Sequence, residues 1–158
     1  FAAGMAQAAC LSIASNPDGA PLARIALPPA DAHFRVVYLH SVTRTLVDER
    51  YVVANGALVQ TEMRFEQPGP GLPTEADPGG SFTTEGGRFL SRMSRRFDGI
   101  RMRVHRDQHP TLSSRSGRVD LARWGDRALM VVPVDCPDGA NAFAARGIAD
   151  APAAAKPR

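Results

Sequence analysis

Apolar residues recur along the chain in short runs, many of which alternate with polar residues as in half-buried β-strands. We predict strands over Leu11–Ala14, Leu22–Leu27, Phe34–Val42, Val47–Val53, Ala57–Phe65, Arg88–Met93, Ile100–His105 and Ala128–Val134. Clusters of Gly, Pro, Asn and Asp separate these runs, and the 13 prolines and 14 glycines disfavour long helices. The pattern predicts an all-β, single-domain antiparallel β-sandwich or small barrel, with one helical candidate at Ala140–Arg146.

A three-stranded meander is predicted at the centre of this fold. Its first turn is the short connection Thr43–Leu46, and its second contains Asn55-Gly56, the strongest short hairpin signal. If both turns are tight, His40 pairs with Glu49 and Glu49 pairs with Glu62. The three side chains would then lie on one face of one sheet, with Glu49 in the middle.

Opposed carboxylates destabilise a strand pair, so this row requires compensation. Arginines nearby could form an ion-pair network or a small-anion site, and a divalent metal could bind the imidazole and both carboxylates. A hydrolase could use Glu49 or Glu62 as its base, although no nucleophile elbow or zinc-protease motif occurs in the sequence. The loop Gln67–Pro73 would border the row. The candidate ligand- or partner-binding residues are therefore His40, Arg44, Glu49, Glu62, Arg64, Gly69 and Gly71, with no catalytic residue, metal or cofactor assigned.

The composition limits the classes of partner. The net charge is +3, and seven arginines lie between Arg88 and Arg106, which can attract anionic groups. Aromatic residues that could stack on bases are not interleaved with them, so no nucleic-acid partner is predicted. No apolar run approaches the ~20 residues of a membrane span.

The two ends of the sequence differ from its centre. Residues 1–9 are predicted to be a flexible tail or the remnant of an export signal, because Ala6-Gln7-Ala8 has the small-x-small form of a cleavage site. Residues 10–136 form the predicted β domain, and the Ala/Pro-rich residues 137–158 are predicted to be a flexible tail. The only cysteines, Cys10 and Cys136, flank the domain; a disulfide between them is possible in an oxidising compartment, and the sequence alone leaves open whether it forms.

The chain resembles the bacterial domain-of-unknown-function family 1850 over roughly Leu11 to Val134. The matching pattern is Tyr38-x-His40-Ser41-Val42-x-x-Thr45-x-Val47-x-Glu49-x-Tyr51, then Leu58-Val59-x-x-Glu62-x-x-Phe65, then Gly69-x-Gly71-Leu72-Pro73, then Ile100-Arg101-Met102-Arg103-Val104 and Asp120-Leu121. Leu46 and Pro70 depart from it, both in loops. The resemblance implies a non-enzymatic accessory domain, periplasmic or otherwise extracytoplasmic, of a TAXI-type TRAP solute transporter. Its partner would be the transporter's membrane subunit or solute-binding protein, in a position close to the membrane.

Overall fold

The computed structural model describes residues 9–136 and 143–144, which form twelve β-strands and two short 3-10 helices. The strands are β1 (Ala9–Ser15), β2 (Pro21–Leu27), β3 (His33–Leu39), β4 (Leu46–Ala54), β5 (Ala57–Phe65), β6 (Ser81–Glu85), β7 (Arg88–Phe97), β8 (Ile100–Val104), β9 (Thr111–Ser114), β10 (Gly117–Asp120), β11 (Arg127–Asp135) and β12 (Phe143–Ala144). The 3-10 helices are Arg106–Gln108 and Leu121–Trp124.

The strands form two antiparallel sheets. One has five strands in the order β12-β2-β1-β11-β8, and the other has seven in the order β10-β9-β3-β4-β5-β7-β6. Each sheet keeps two open edges, so the described part of the chain is a sandwich and not a closed barrel. The predicted all-β class and the central meander β3-β4-β5 are confirmed.

All eight predicted runs lie on strands, but the sequence pattern missed β6, β9, β10 and β12. These four strands are short, and all of them lie at or next to a sheet edge, where little apolar alternation is needed. The helix expected at Ala140–Arg146 is wrong for Phe143–Ala144, which pair with β2 instead. The other residues of the two predicted tails, 1–8, 137–142 and 145–158, lie outside the described residues.

Two hydrophobic clusters stabilise the sandwich. The larger cluster fills the space between the sheets with fully buried aliphatic side chains, among them Leu11, Ile13, Leu58, Leu112 and Leu129. Each such side chain contributes about 1.5–3 kcal/mol relative to full exposure. The smaller cluster lies on the inner face of β4, β5 and β7 and consists of Val47, Met63, Phe65, Leu72 and Met93. Leu72 comes from the β5–β6 connection, so that loop covers the part of the sheet where the smaller cluster lies.

A salt bridge holds the same connection against β7. Arg95 donates from Nε and Nη2 to the two carboxylate oxygens of Asp77, over 2.6 and 2.7 Å. These charge-assisted hydrogen bonds lower the pKa of Asp77 and raise that of Arg95. The connection is therefore anchored by an apolar contact at Leu72 and by a bidentate ion pair at Asp77.

The disulfide that the sequence left open is present and joins the first strand to the end of β11. Cys10 in β1 is fully buried and is bonded to Cys136, directly after β11, with a Cα–Cα distance of 5.1 Å.

Among the described residues there is no helix with the length and apolar character needed to cross a membrane.

Replacing both cysteines by serine should lower the free energy of unfolding by about 2–5 kcal/mol, because the bond closes a loop of 126 residues in the unfolded chain. Urea unfolding of the oxidised protein and of the Cys10→Ser/Cys136→Ser variant measures the difference. A reductant should destabilise the parent and leave the variant unchanged. Equal stability of the oxidised parent and the variant would contradict the expectation.

Candidate functional site

The first turn of the meander is longer than predicted. Strand β3 ends at Leu39, which pairs with Leu46, and the connection is closed by His40 N donating to Thr45 O over 2.9 Å. Within this longer turn, Arg44 adopts a positive φ of 56°, which is uncommon for a residue other than glycine. The predicted pairing of His40 with Glu49 is therefore wrong: Glu49 lies opposite Val36, four residues earlier along β3.

The second half of the meander contains a β-bulge. The predicted Asn55-Gly56 hairpin is confirmed, with Val53 paired to Leu58 and Tyr51 to Gln60. The next pair is Arg50–Glu62, so Thr61 is an extra residue on β5. Its hydroxyl donates to the carbonyl oxygen of Arg50 over 3.3 Å. Because side chains alternate between faces, one extra residue moves Glu62 to the face opposite that of Glu49.

The prediction that His40, Glu49 and Glu62 share one face is therefore wrong. Glu49 points towards the other sheet together with Tyr51, Glu62 lies on the outer face beside Arg50, and His40 belongs to the turn after β3. The structure separates the predicted row into three different environments.

His40 is a buried link between two loops. Its Nδ1 accepts hydrogen bonds from the backbone N–H groups of Val42 and Thr43, both over 3.2 Å. Nδ1 is therefore unprotonated, and Nε2 carries the hydrogen that it donates to the carbonyl oxygen of Pro70 over 3.0 Å. The imidazole thus stabilises its own turn and fixes the Gln67–Pro73 loop against it.

Gly69 permits this close approach of the two loops. A Cβ atom at this position would lie 2.9 Å from Thr43 Cγ2 and 3.0 Å from His40 Cε1. Gly71 serves the same loop differently, since its φ of +82° is in the region that favours glycine. Of the predicted residues, His40 and Gly69 are therefore brought together, as elements that shape the loop.

The outer face of the meander and β7 carries a network that we call the arginine–carboxylate face. It consists of Arg35, Asp48, Arg50, Glu62, Arg64 and Arg92. Two largely buried carboxylates, with side chains 16% and 14% exposed, lie among four arginines that are about half exposed. Arginine outnumbers carboxylate on this face by four to two, so it carries excess positive charge.

The two carboxylates organise the arginines around them. Arg35 donates to both oxygens of Asp48, over 3.1 and 2.8 Å. Glu62 accepts from Arg64 Nε over 2.6 Å, which raises the pKa of Arg64, and has Arg50 and Arg92 nitrogens at 3.5 and 3.7 Å. A single carboxylate thus compensates three guanidinium groups, two of them at longer range.

An open groove of about 750 Å³ runs along this face. Its charged lining includes Arg35, Arg50, Glu62 and Arg92, and it continues past the meander to Asp31, His33 and Arg115. The hydroxyl-bearing residues Thr61, Ser113 and Ser114 also border it. Guanidinium and hydroxyl groups in one groove can bind carboxylate or phosphate oxygens.

Glu49, on the inner face, is bound by two tyrosines. Tyr38 donates its hydroxyl hydrogen to Glu49 Oε1 over 2.7 Å, and Tyr51 donates to Oε2. Burial, followed by the negative charge of Glu49, raises the pKa of both tyrosines, so both hydroxyls stay protonated. Tyr51 also stacks on Phe34 with ring centroids 5.1 Å apart, which fixes its orientation.

Arg44, another predicted residue, reaches away from Glu49 and Glu62. Its guanidinium donates to Asp107 Oδ2 over 3.1 Å and to the Asp107 carbonyl oxygen over 2.8 Å. Asp107 belongs to the 3-10 helix Arg106–Gln108, so Arg44 ties that helix to the β3–β4 turn.

Sequence reasoning missed four members of the outer network, Arg35, Asp48, Arg50 and Arg92. Strand alternation would have put Asp48 and Arg50 on the face opposite Glu49, which was a usable signal. The same alternation put Glu62 with Glu49, and nothing in the residue types around Thr61 indicates the bulge that moves it. In residues 9–136, no group of three or more His, Cys, Asp or Glu side chains gathers into a metal site.

Comparison with protein families gives one match, to the model described as Domain of unknown function (DUF1850), over residues 34–121. The match spans more than half of the 158 residues and includes the whole meander. No curated protein and no solved structure matches the chain.

His40→Ala should lower the free energy of unfolding by about 2–3 kcal/mol, because it leaves two N–H groups and one carbonyl without their partner. His40→Asn should cost about half as much, since the amide oxygen can replace Nδ1 as an acceptor. Chemical denaturation measures both. His33→Ala is the control, because His33 is exposed and should change stability by no more than about 0.5 kcal/mol. An equal cost for His40→Ala and His33→Ala would contradict the role of His40.

Glu62→Gln should destabilise the protein by about 1–2 kcal/mol at low salt, because three arginines lose their shared charge. The loss should shrink at about 1 M salt, where the screening length is about 3 Å. The matched control is Glu66→Gln, since Glu66 is more exposed and contacts only Arg88 among the ion pairs of the described residues. If both substitutions have the same effect and the same salt dependence, the compensation by Glu62 is refuted.

Proposed function

Since the chain belongs to the DUF1850 family, we propose that it is an extracytoplasmic accessory domain of a TAXI-type TRAP solute transporter system. The domain acts without catalysis and binds the transporter's membrane subunit or its solute-binding protein. The transporter assignment rests on the family resemblance, and the binding role rests on the arginine–carboxylate face.

The disulfide supports the proposed extracytoplasmic location. Bonds such as Cys10–Cys136 form and persist in oxidising environments, which include the bacterial periplasm, and are rare in the cytosol. The bond also joins the start of β1 to the end of β11, which suits a small domain that works outside the cytoplasm.

The arginine–carboxylate face is the single observation that carries the binding role. Three of its four half-exposed arginines line a groove of about 750 Å³. Arg35 and Arg64 are held in place by hydrogen bonds to the carboxylates, whereas the nearest nitrogens of Arg50 and Arg92 lie 3.5 and 3.7 Å from Glu62. Arginines that are held in place lose less side-chain entropy when they bind, and their excess charge favours an acidic partner surface. The partner surface is therefore expected to carry aspartate or glutamate side chains.

The two competing hypotheses, a hydrolase and a small-anion module, receive different support. A hydrolase that uses Glu49 or Glu62 as its base gains no specific observation in its favour, since Glu49 accepts hydrogen bonds from two tyrosines and Glu62 lies among arginines on the other face of the sheet. A small-anion module keeps one specific observation in its favour, namely the same positively charged groove. It is the second candidate function.

Neutralising the groove should weaken partner capture. We expect Arg92→Gln/Arg115→Gln to reduce association with the membrane subunit or solute-binding protein of a co-expressed TAXI-type transporter by at least about tenfold, which corresponds to about 1.4 kcal/mol. Co-purification followed by a binding titration measures it. Both arginines make only long ion pairs, at 3.7–3.9 Å, so the variant should keep its melting temperature.

The matched control is Arg24→Gln/Arg127→Gln, which removes the same charge from exposed residues of the five-stranded sheet and should leave capture unchanged. Equal weakening by both double variants would refute the face as the docking surface. Absence of capture by the parent would refute the transporter role. Citrate binding that only the groove variant loses, without partner capture, would favour the small-anion module.

A further inference from the structure

A second positively charged cavity lies at the β10 edge of the seven-stranded sheet. Its volume is about 600 Å³, and its lining comes from β9, β10, both 3-10 helices and the residue after the first of these helices. It shares no lining residue with the groove along the arginine–carboxylate face. The charged and hydrogen-bonding residues that line it are Arg106, His109, Thr111, Arg118, Asp120 and Arg123.

Strand pairing brings part of this lining to one face of the sheet. In β9 and β10, Leu112 and Val119 pair with each other and belong to the larger hydrophobic cluster. Because side chains alternate along a strand, Thr111, Arg118 and Asp120 lie on the outer face. Thr111 is paired directly with Asp120, so its hydroxyl group lies beside the charged residues of β10.

The other two arginines of the cavity come from the 3-10 helices. The guanidinium carbon of Arg123 lies 5.6 Å from the ring centroid of Trp124, a cation–π contact that restricts its position. Arg106 Nη2 lies close to Gly125, where an added Cβ atom would be 3.5 Å away from it. Arg106 therefore lies beside the chain segment that carries Arg123.

The lining of this cavity carries excess positive charge. None of the ion pairs in the described part of the chain includes Arg106, Arg118 or Arg123. The acidic residue among the described lining residues is Asp120, whose Oδ1 accepts a hydrogen bond from Ala122 N over 2.9 Å. Three guanidinium groups and one carboxylate give the lining a net charge of +2 when its histidine is neutral.

The carboxylates of the neighbouring residues interact elsewhere. Asp107 accepts a hydrogen bond from Arg44, and Asp126 accepts one from the backbone N–H of Arg106 and lies 3.9 Å from His105. Neither aspartate lines the cavity. On the arginine–carboxylate face, by contrast, every arginine takes part in an ion pair. The three arginines of the cavity are therefore open to an anion from outside the described part of the chain.

We propose that this cavity binds a phosphate group. Arg106, Arg118 and Arg123 donate hydrogen bonds to the phosphate oxygens, for which the planar guanidinium group is well suited. The Thr111 hydroxyl and the His109 ring supply further donors. A phosphate monoester has a charge of about −1.5 to −2 at pH 7, which matches the charge of the lining. The volume is within the usual range of small-ligand sites and leaves room for an organic group on the phosphate.

The test is a titration of the isotope-labelled full chain with glycerol phosphate in phosphate-free buffer, followed by amide chemical shifts. We expect saturable shifts in β10 and both 3-10 helices, and none with glycerol. Arg118→Gln/Arg123→Gln should weaken binding at least tenfold and keep its melting temperature, because both residues are exposed and lack ion pairs within the described part of the chain. The control Arg24→Gln/Arg127→Gln removes the same charge from the five-stranded sheet and should bind like the parent.

Phosphate monoesters occur in soluble molecules and in lipid headgroups, and a second measurement separates these sources. The probe is co-sedimentation of the full chain with phosphatidylcholine vesicles that contain phosphatidic acid. Binding of glycerol phosphate without vesicle binding supports the proposal with a soluble ester as ligand. Vesicle binding without glycerol phosphate binding supports it with a lipid headgroup, provided that Arg118→Gln/Arg123→Gln abolishes the sedimentation and the control does not.

The proposal is overturned if the parent binds neither probe, if the shifts fall only on the groove of the arginine–carboxylate face, or if both double variants weaken binding equally. Arg92→Gln/Arg115→Gln leaves every lining residue of this cavity unchanged and should bind glycerol phosphate as tightly as the parent. Partner capture does not enter these measurements, so this proposal and the transporter role fail independently.

Discussion

The extra residue Thr61 determines which charges face each other across the central strands. With a regular register, Glu62 would lie on the inner face near Glu49, and two carboxylates would share a partly buried space without a cation. The bulge moves Glu62 to the outer face, where three arginines surround it. The arginine–carboxylate face depends on this shift, which places Glu62 among the arginines and leaves Glu49 with the two tyrosines.

The unequal width of the two sheets explains why Glu49 can be only partly buried. The seven-stranded sheet extends beyond the five-stranded one, and the β5–β6 connection covers the remainder through Leu72 and the Asp77–Arg95 ion pair. Tyr38 packs against both hydrophobic clusters, so the polar group formed with Glu49 lies where they adjoin. A boundary between two separately packed clusters tolerates a carboxylate that neither interior would accept.

The sequence predicted the class of fold, eight of the twelve described strands and the Asn55-Gly56 hairpin, because each depends on local periodicity or on turn chemistry that residue type alone specifies. It did not predict the faces of the charged residues. The faces of these residues depend on the six-residue turn 40–45, where Arg44 adopts a positive φ, and on the bulge at Thr61. Neither residue type demands such a conformation, so tertiary context decides both. The sequence singled out His40 as a member of the charged row, whereas in the structure His40 joins two loops.

The disulfide has a mechanical consequence. Cys10 and Cys136 hold the start of β1 and the end of β11 together at one corner of the sandwich, with their Cα atoms 5.1 Å apart. Tension applied across these two residues would pass through the covalent bond and would not load the hydrogen bonds of the strands between them. Of the described strands, only β12, which pairs with β2, lies outside this covalently closed loop.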